Sequence, residues 1–145
     1  MKATELLKRD HRAVQALFDQ YGKARPAEKA EIFRRLKQEL DLHTRIEEDV
    51  FYPALHKARP GAKVREALEE HHVVDALLSE LADLSIGEVF DAKMKVLREN
   101  VEHHVKEEER EMFEDAKKSF SPTKLEELGM QLEQHRKLLE RSPIP

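Results

Sequence analysis

The chain repeats itself, and the repeat limits what it can become. Asp10-His11-Arg12-Ala13-Val14-Gln15-Ala16-Leu17 is echoed by Glu70-His71-His72-Val73-Val74-Asp75-Ala76-Leu77 at an offset of 60. Leu36 to Phe51 is echoed by Leu97 to Met112 at an offset of 61, with His-x-x-x-Glu-Glu in both copies. Internal similarity at a fixed spacing marks a repeated supersecondary unit. Two helical hairpins are therefore expected to face each other with approximate twofold symmetry, each supplying one lone histidine and one His-x-x-x-Glu pair.

Apolar residues at spacings of three and four make those units helical. The first stripe is Leu7, His11, Val14, Phe18 and Tyr21, opened by Thr4 as an N-cap and ending near Gly22. Pro26 suits the first position of a second helix with Ile32, Leu36, Leu40, His43, Glu47 and Val50 inward, and Pro53 should kink or end it. After the breaker Ala58-Arg59-Pro60-Gly61, a third stripe runs Val64, Leu68, His71, Asp75, Leu78 and Ala82. Ser85-Ile86-Gly87-Glu88 has the form of a capping box and opens a fourth: Phe90, Met94, Leu97, Val101, His104 and Glu108. Ser121-Pro122 starts a shorter fifth segment carrying Leu125, Leu128, Leu132 and Leu139. With four Gly, no Trp and 39% charged residues, the chain has the composition of long amphipathic helices, and 145 residues suffice for one core. The fold expected is all-α, an up-down-up-down four-helix bundle with a short C-terminal accessory helix.

In an antiparallel hairpin, residues equally distant from the turn lie at equal height. The midpoint of His11 and His43 is residue 27, beside the Pro26 turn; that of His43 and His71 is 57, beside Arg59-Pro60-Gly61; that of His71 and His104 is 87.5, beside Gly87. All three turns place the four histidines in one layer. Glu47 and Glu108 follow a histidine by four residues, so they share its helical face about 6 Å further along the axis. Such a layer would be costly inside an apolar core unless neutralised, and two divalent cations would neutralise it. If both glutamates bridge, each metal has two nitrogens and two oxygens, leaving about two octahedral positions open. Mixed nitrogen and oxygen donors suit iron or manganese, with zinc and copper chemically admissible. The chain has no Cys, which removes thiolate zinc and ordinary iron-sulfur sites.

His11, His43-x-x-x-Glu47, His71 and His104-x-x-x-Glu108, in this order on four helices, resemble the hemerythrin-like family, also called the HHE cation-binding domain. The resemblance covers residues 1–118; residues 119–145 are the expected accessory helix and tail. It implies a di-iron centre with carboxylate and oxo or hydroxo bridges, used for oxygen carriage, oxygen or iron sensing, or peroxide and nitric oxide chemistry. It also implies His11, His43, Glu47, His71, His104 and Glu108 as ligands. Members that carry oxygen reversibly have a fifth histidine one turn after the third. Here that position holds Asp75, which could be an oxygen ligand, accept a hydrogen bond from a ligating histidine, or face away.

The function expected is non-haem iron binding to bind, sense or decompose oxygen or hydrogen peroxide, with catalase-like or oxidase-like activity as the enzymatic form. A metal-dependent interaction module without turnover and a structural single-zinc bundle are the alternatives. The remaining histidines, His56, His72, His103 and His135, are expected at the surface, although a reversed register would select His72 or His103 instead. Glu48, Glu107, Glu109 and Glu111 are expected in solvent. The formal net charge of −4, with both signs interleaved, speaks against a nucleic-acid partner. No apolar run approaches the roughly 18 residues that span a bilayer, and Met1 to Leu7 lacks a secretory apolar core, so a cytoplasmic location is expected.

Overall fold

The computed structural model describes residues 1–141; residues 142–145, the end of the expected tail, lie outside them. The described residues form helices joined by short turns, with no strand among them. In chain order they are α1 (Ala3–Lys23), α2 (Pro26–Ile46), α3 (Tyr52–Ala58), α4 (Val64–Ala82), α5 (Glu88–Glu107), α6 (Phe113–Ser119) and α7 (Pro122–Arg141). Two π-helical segments, Glu47–Phe51 and Glu108–Met112, join α2 to α3 and α5 to α6 without a break. The described residues thus form five helical rods. α1 packs along α2, α4 along α5, and α7 lies against α1 and α2.

Local chemistry sets several boundaries. Arg25 precedes Pro26, and its backbone N–H donates to Glu28 Oε1 at 2.9 Å, closing the first turn of α2. Ser121 Oγ accepts from the Lys124 N–H at 3.1 Å and caps α7. Thr4 does not cap α1: the helix begins one residue earlier, at Ala3, and Thr4 is buried. The capping box at Ser85 does not form either, and α5 begins at Glu88 with no side-chain cap.

Pro53 does not end the second rod. The chain passes it through the π segment, and the backbone N–H of Tyr52 reaches Glu47 O, five residues back. Proline is not the cause, because the second repeat makes the same turn, Phe113 N–H to Glu108 O, with Glu114 at the matching position. A π turn adds one residue and rotates the chain beyond it by about 100° relative to an α-helix. The residues stacked under Glu47 and Glu108 are consequently Tyr52 and Phe113.

The buried stripe of α4 is Val64, Ala67, His71, Val74, Leu78 and Leu81, so Asp75 and Ala82 lie on the exposed side. Both stripes pass through Val64, His71 and Leu78; the packing takes the residue three positions after His71 and not the one four after it. The fifth helix is not short. α7 has 20 residues, against 21 in α1, and buries Leu125, Leu128 and Leu132. At Gly129 it crosses the chain start so closely that a Cβ would stand 1.9 Å from Met1 O.

The interior has two apolar halves. One holds Leu6, Leu7, Ile46, Phe51, Phe113 and the leucines of α7, among others; the second includes Val14, Phe18, Leu36, Leu40, Leu78 and Leu97. Between them lies a layer of buried polar side chains.

Candidate metal centre

That layer consists of His11, His43, Glu47, His71, His104 and Glu108, each no more than 7% exposed. His11 and His43 pair edge to face with ring centroids 4.8 Å apart, as do His71 and His104 at 4.9 Å. The glutamates span the two pairs. Glu47 Oε1 is 3.2 Å from His43 Nε2 and 3.3 Å from His71 Nε2. Glu108 reaches His11 Nε2 with Oε1 at 3.0 Å and His104 Nε2 with Oε2 at 3.5 Å. His11, His43, Glu47 and Glu108 present donor atoms within 4.8 Å of one another, and so do Glu47, His71 and His104. Six of the seven residues singled out from the sequence are therefore brought together. Asp75 is not: it is exposed and lines a surface cleft with Lys37, Asp41, Arg45 and Glu48.

Each histidine is also held from behind by a carboxylate. The Nδ1 partners are Glu109 for His11 at 2.6 Å, Asp10 for His43 at 3.0 Å, Glu48 for His71 at 2.7 Å and Glu70 for His104 at 2.7 Å. All four are sequence neighbours of a layer residue, in the order the repeat requires. Glu48 and Glu109, expected in solvent, are thus drawn to the layer. A carboxylate at Nδ1 fixes the proton there and turns the Nε2 lone pair inward. His11 Nε2 and His43 Nε2 then face each other at 3.2 Å with carboxylate oxygens beside them. Four inward lone pairs and two carboxylates need protons or cations between them. Glu47 Oε2 and Glu108 Oε1 are buried without a hydrogen-bond partner of acceptable geometry, which leaves acceptors for a cation to fill.

Protons fill this role when no metal does. Burial pulls the four imidazoles down, but the facing carboxylates outweigh it: His71 and His104 are pushed up to about 9, His43 well above its ordinary value, and His11 upward. For Glu108, burial pushes upward and is overcome by His104 and His11, which hold it well below the usual carboxylate range.

Tyr52, which periodicity did not indicate, also stands against the layer. Tyr52 Oη lies 3.3 Å from both Glu47 Oε1 and His71 Nε2, and its hydroxyl donates to Glu108 Oε2. Burial first, then the charges of Glu108 and Glu47, hold its hydroxyl protonated far above the usual tyrosine range. The matching residue of the second repeat is Phe113, which stacks on His11 with centroids 5.8 Å apart. The layer is therefore asymmetric, with a hydroxyl on one side and a phenyl ring on the other. Carrying the repeat one residue beyond Phe51 and Met112 aligns Tyr52 with Phe113, but only the π turns put either ring against the layer.

α7 also reaches the layer. Arg136 donates to both Glu39 oxygens at 2.9 Å and stands 3.6 Å from Asp10 Oδ1, whose other oxygen holds His43. His135 joins Asp49 of the first π segment at 2.7 Å. His56, His72 and His103 are exposed, as expected. Arg136→Met should lower the stability of the metal-free protein by about 2 kcal/mol, the scale of a hydrogen bond to a charged group. Urea denaturation at fixed pH measures it, and an unchanged midpoint would show that Arg136 only decorates the surface.

On the apolar side of the layer, His11, His43, His71 and His104 share a small cavity of about 20 Å³ with Val14, Leu40, Val74 and Val101. That is room for one water-sized molecule. Leu7, on the same stripe of α1 as Val14, packs in the opposite half of the core.

Comparison with known proteins agrees with this geometry. Residues 2–116 match the hemerythrin HHE cation binding domain. Uncharacterized proteins of Mycobacterium tuberculosis and Mycobacterium bovis are each 32% identical over 148 residues, covering 99% of this chain and 91% of theirs. A crystal structure of a hemerythrin HHE cation binding domain-containing protein from Mycobacterium kansasii superposes with a TM-score of 0.80 at 28% identity, covering 99% of this chain and 94% of that one. No helix among the described residues is long and apolar enough to cross a membrane. The repeated His-x-x-x-Glu units, the polar layer they build and the match across most of its length make this chain a member of the hemerythrin HHE cation-binding domain family.

Proposed function

We propose that the four rods from α1 to α6 act as an up-down-up-down bundle holding a dinuclear iron centre, which binds, senses or decomposes oxygen or hydrogen peroxide. His11, His43, His71 and His104 would be terminal ligands, and Glu47 and Glu108 would bridge. The observation that carries this reading is the convergence of four inward Nε2 atoms on two carboxylates that each face both histidine pairs. The donor set fits two cations of mixed nitrogen and oxygen preference, iron or manganese before zinc. Iron bound there supplies electrons and Lewis acidity. The chain's own part is to orient the imidazoles through their Nδ1 partners, exclude bulk water and admit one small molecule to the cavity.

Tyr52 holds a proton at Oη beside Glu108. A preorganised hydrogen-bond donor of this kind contributes roughly 10² to 10³ in rate. Iron-loaded Tyr52→Phe should therefore keep its metal content yet consume peroxide roughly a hundredfold more slowly; an unchanged rate would leave Tyr52 a purely structural residue.

Metal analysis together with an optical spectrum tests the centre, and peroxide consumption tests its use. Two irons per chain and measurable turnover support the proposal, whereas a single zinc that survives iron loading would overturn it. The connection from α7 through Arg136 and Asp10 to His43 favours a second reading, a metal-dependent switch without turnover. A large metal-dependent rise in melting temperature with no peroxide consumption would select that one.

A further inference from the structure

The seam between the hairpin of α1 and α2 and that of α4 and α5 opens into one cleft between α1 and α5 and another between α2 and α4. The first, of about 390 Å³, is walled by His11, Val14, Gln15, Val101 and Val105, among others. The second, of about 290 Å³, includes Lys37, Asp41, Thr44, Arg45 and Asp75. They meet the small cavity beside the four imidazoles differently. His11, Val14, Val101 and Val105 line both the first cleft and the cavity, so a single layer of side chains separates the two. Among the described residues lining the second cleft, Thr44 alone reaches the cavity. The repeat relates the two seams, and its substitutions account for the difference. Val101 and Val105 correspond to Leu40 and Thr44, and Gln15 corresponds to Asp75. A longer side chain and a ring of charged ones thus stand where the first seam has valines.

We infer that uncharged small molecules reach the layer through the cleft between α1 and α5, and that Val14, Val101 and Val105 form the gate that selects what passes. Use of this route by an oxidant rests on the reading of the layer as an iron centre; the route itself does not. The valine walls offer an ion nothing in exchange for its hydration, so oxygen and hydrogen peroxide cross at a smaller cost than an anion of similar size. Val14 and Val101 are only 3% and 6% exposed, and Val105 half-covers them from outside. β-Branched side chains are stiff, so passage requires the helices to part slightly. α1 and α5 belong to different hairpins, and this seam can part without breaking the packing inside either. A molecule that passes emerges beside His11, His43, His71 and His104.

Metal-free full-length protein with labelled valine methyl groups, placed under oxygen pressure, tests the route without the metal. Dissolved oxygen is paramagnetic and relaxes the methyl protons it approaches. Val14 and Val101 should be relaxed at least about twofold more than Val64, as expected where apolar space takes up a nonpolar gas. Val64 is a fair reference, being 6% exposed but in the other half of the core. Iron-loaded ferrous protein is then mixed with oxygen by stopped-flow, and oxidation is followed optically. Val105→Phe should slow it at least about tenfold, because overfilling the opening raises the cost of parting it. Val105→Ala, which removes bulk and cannot clash, should speed it severalfold, and Asp75→Phe at the matching mouth should leave it unchanged. Equal relaxation at Val14, Val101 and Val64 would overturn the route, as would equal slowing by Val105→Phe and Asp75→Phe. Excess relaxation at Val14 and Val101 in a chain that takes up no iron would overturn the reading of the layer while leaving the route standing.

Discussion

Glu108→Ala is expected to abolish stable metal binding, while Glu109→Gln is expected only to weaken it. The two residues adjoin in sequence, but their oxygens do different things. Glu108 faces both histidine pairs, Oε1 toward His11 and Oε2 toward His104, so its loss removes oxygen from both sides of the layer. Glu109 touches the layer only through His11 Nδ1. Outer partners of this kind cost about 10- to 100-fold in affinity when removed. Glu108→Ala should exceed that range, leaving less than one ion per chain after gel filtration, whereas Glu109→Gln should still retain metal at saturating concentration. Equal losses in competition titrations with a chelator would mean that Glu108 does not bridge.

Removing the metal should reverse the way stability depends on pH. In the metal-free protein, His71 and His104 have folded-state values of about 9, above the roughly 6.5 of an unfolded chain. Between those values the folded protein binds more protons than the unfolded one, so stability falls as pH rises. The contribution is complete below about 6.5 and is lost through about 9. Glu108 is shifted the opposite way: its contribution is present above the ordinary glutamate value and disappears in acid. The metal-free protein should thus be most stable at mildly acidic pH and lose on the order of a few kcal/mol by pH 9. With metal bound the sign changes, because protons and cations compete for the same Nε2 lone pairs and alkali favours the cation. Melting curves from pH 5 to 9 with and without metal should therefore converge at low pH and diverge at high pH. Parallel curves would contradict the competition.

Much of this arrangement was legible in the residues. The equal distances of His11, His43, His71 and His104 from their turns placed them at one height, and the four-residue spacing added Glu47 and Glu108 to the same faces. Such inferences succeed because an α-helix is regular, so spacing along the chain converts directly into position. They fail where the regularity does. Tyr52 was invisible to an α-periodic reading because the π turn at Glu47–Phe51 shifts the residues after it by one position. In α4, Val74 and Asp75 both lie one turn beyond His71, and periodicity could not choose between them; Val74 lines the cavity and Asp75 faces solvent.

The carboxylates behind the histidines were hidden for a different reason. Asp10, Glu48, Glu70 and Glu109 look like the many other acids of a charge-rich helix, since nothing along the chain separates a solvated glutamate from one aimed across a helix interface. Arg136 is the extreme case, acting on His43 from a helix beyond the matched family region.

Repeat and period belong to the chain alone, and they were enough to define the helical class, the duplicated hairpin and the six residues of the layer. Which carboxylate holds which imidazole, why Tyr52 brings a hydroxyl to the layer where Phe113 brings a phenyl ring, and how α7 braces Asp10 emerged only once the helices were packed. Those features depend on the rotation of one helix relative to another and on two local departures from the α-helix, neither of which spacing along the chain encodes.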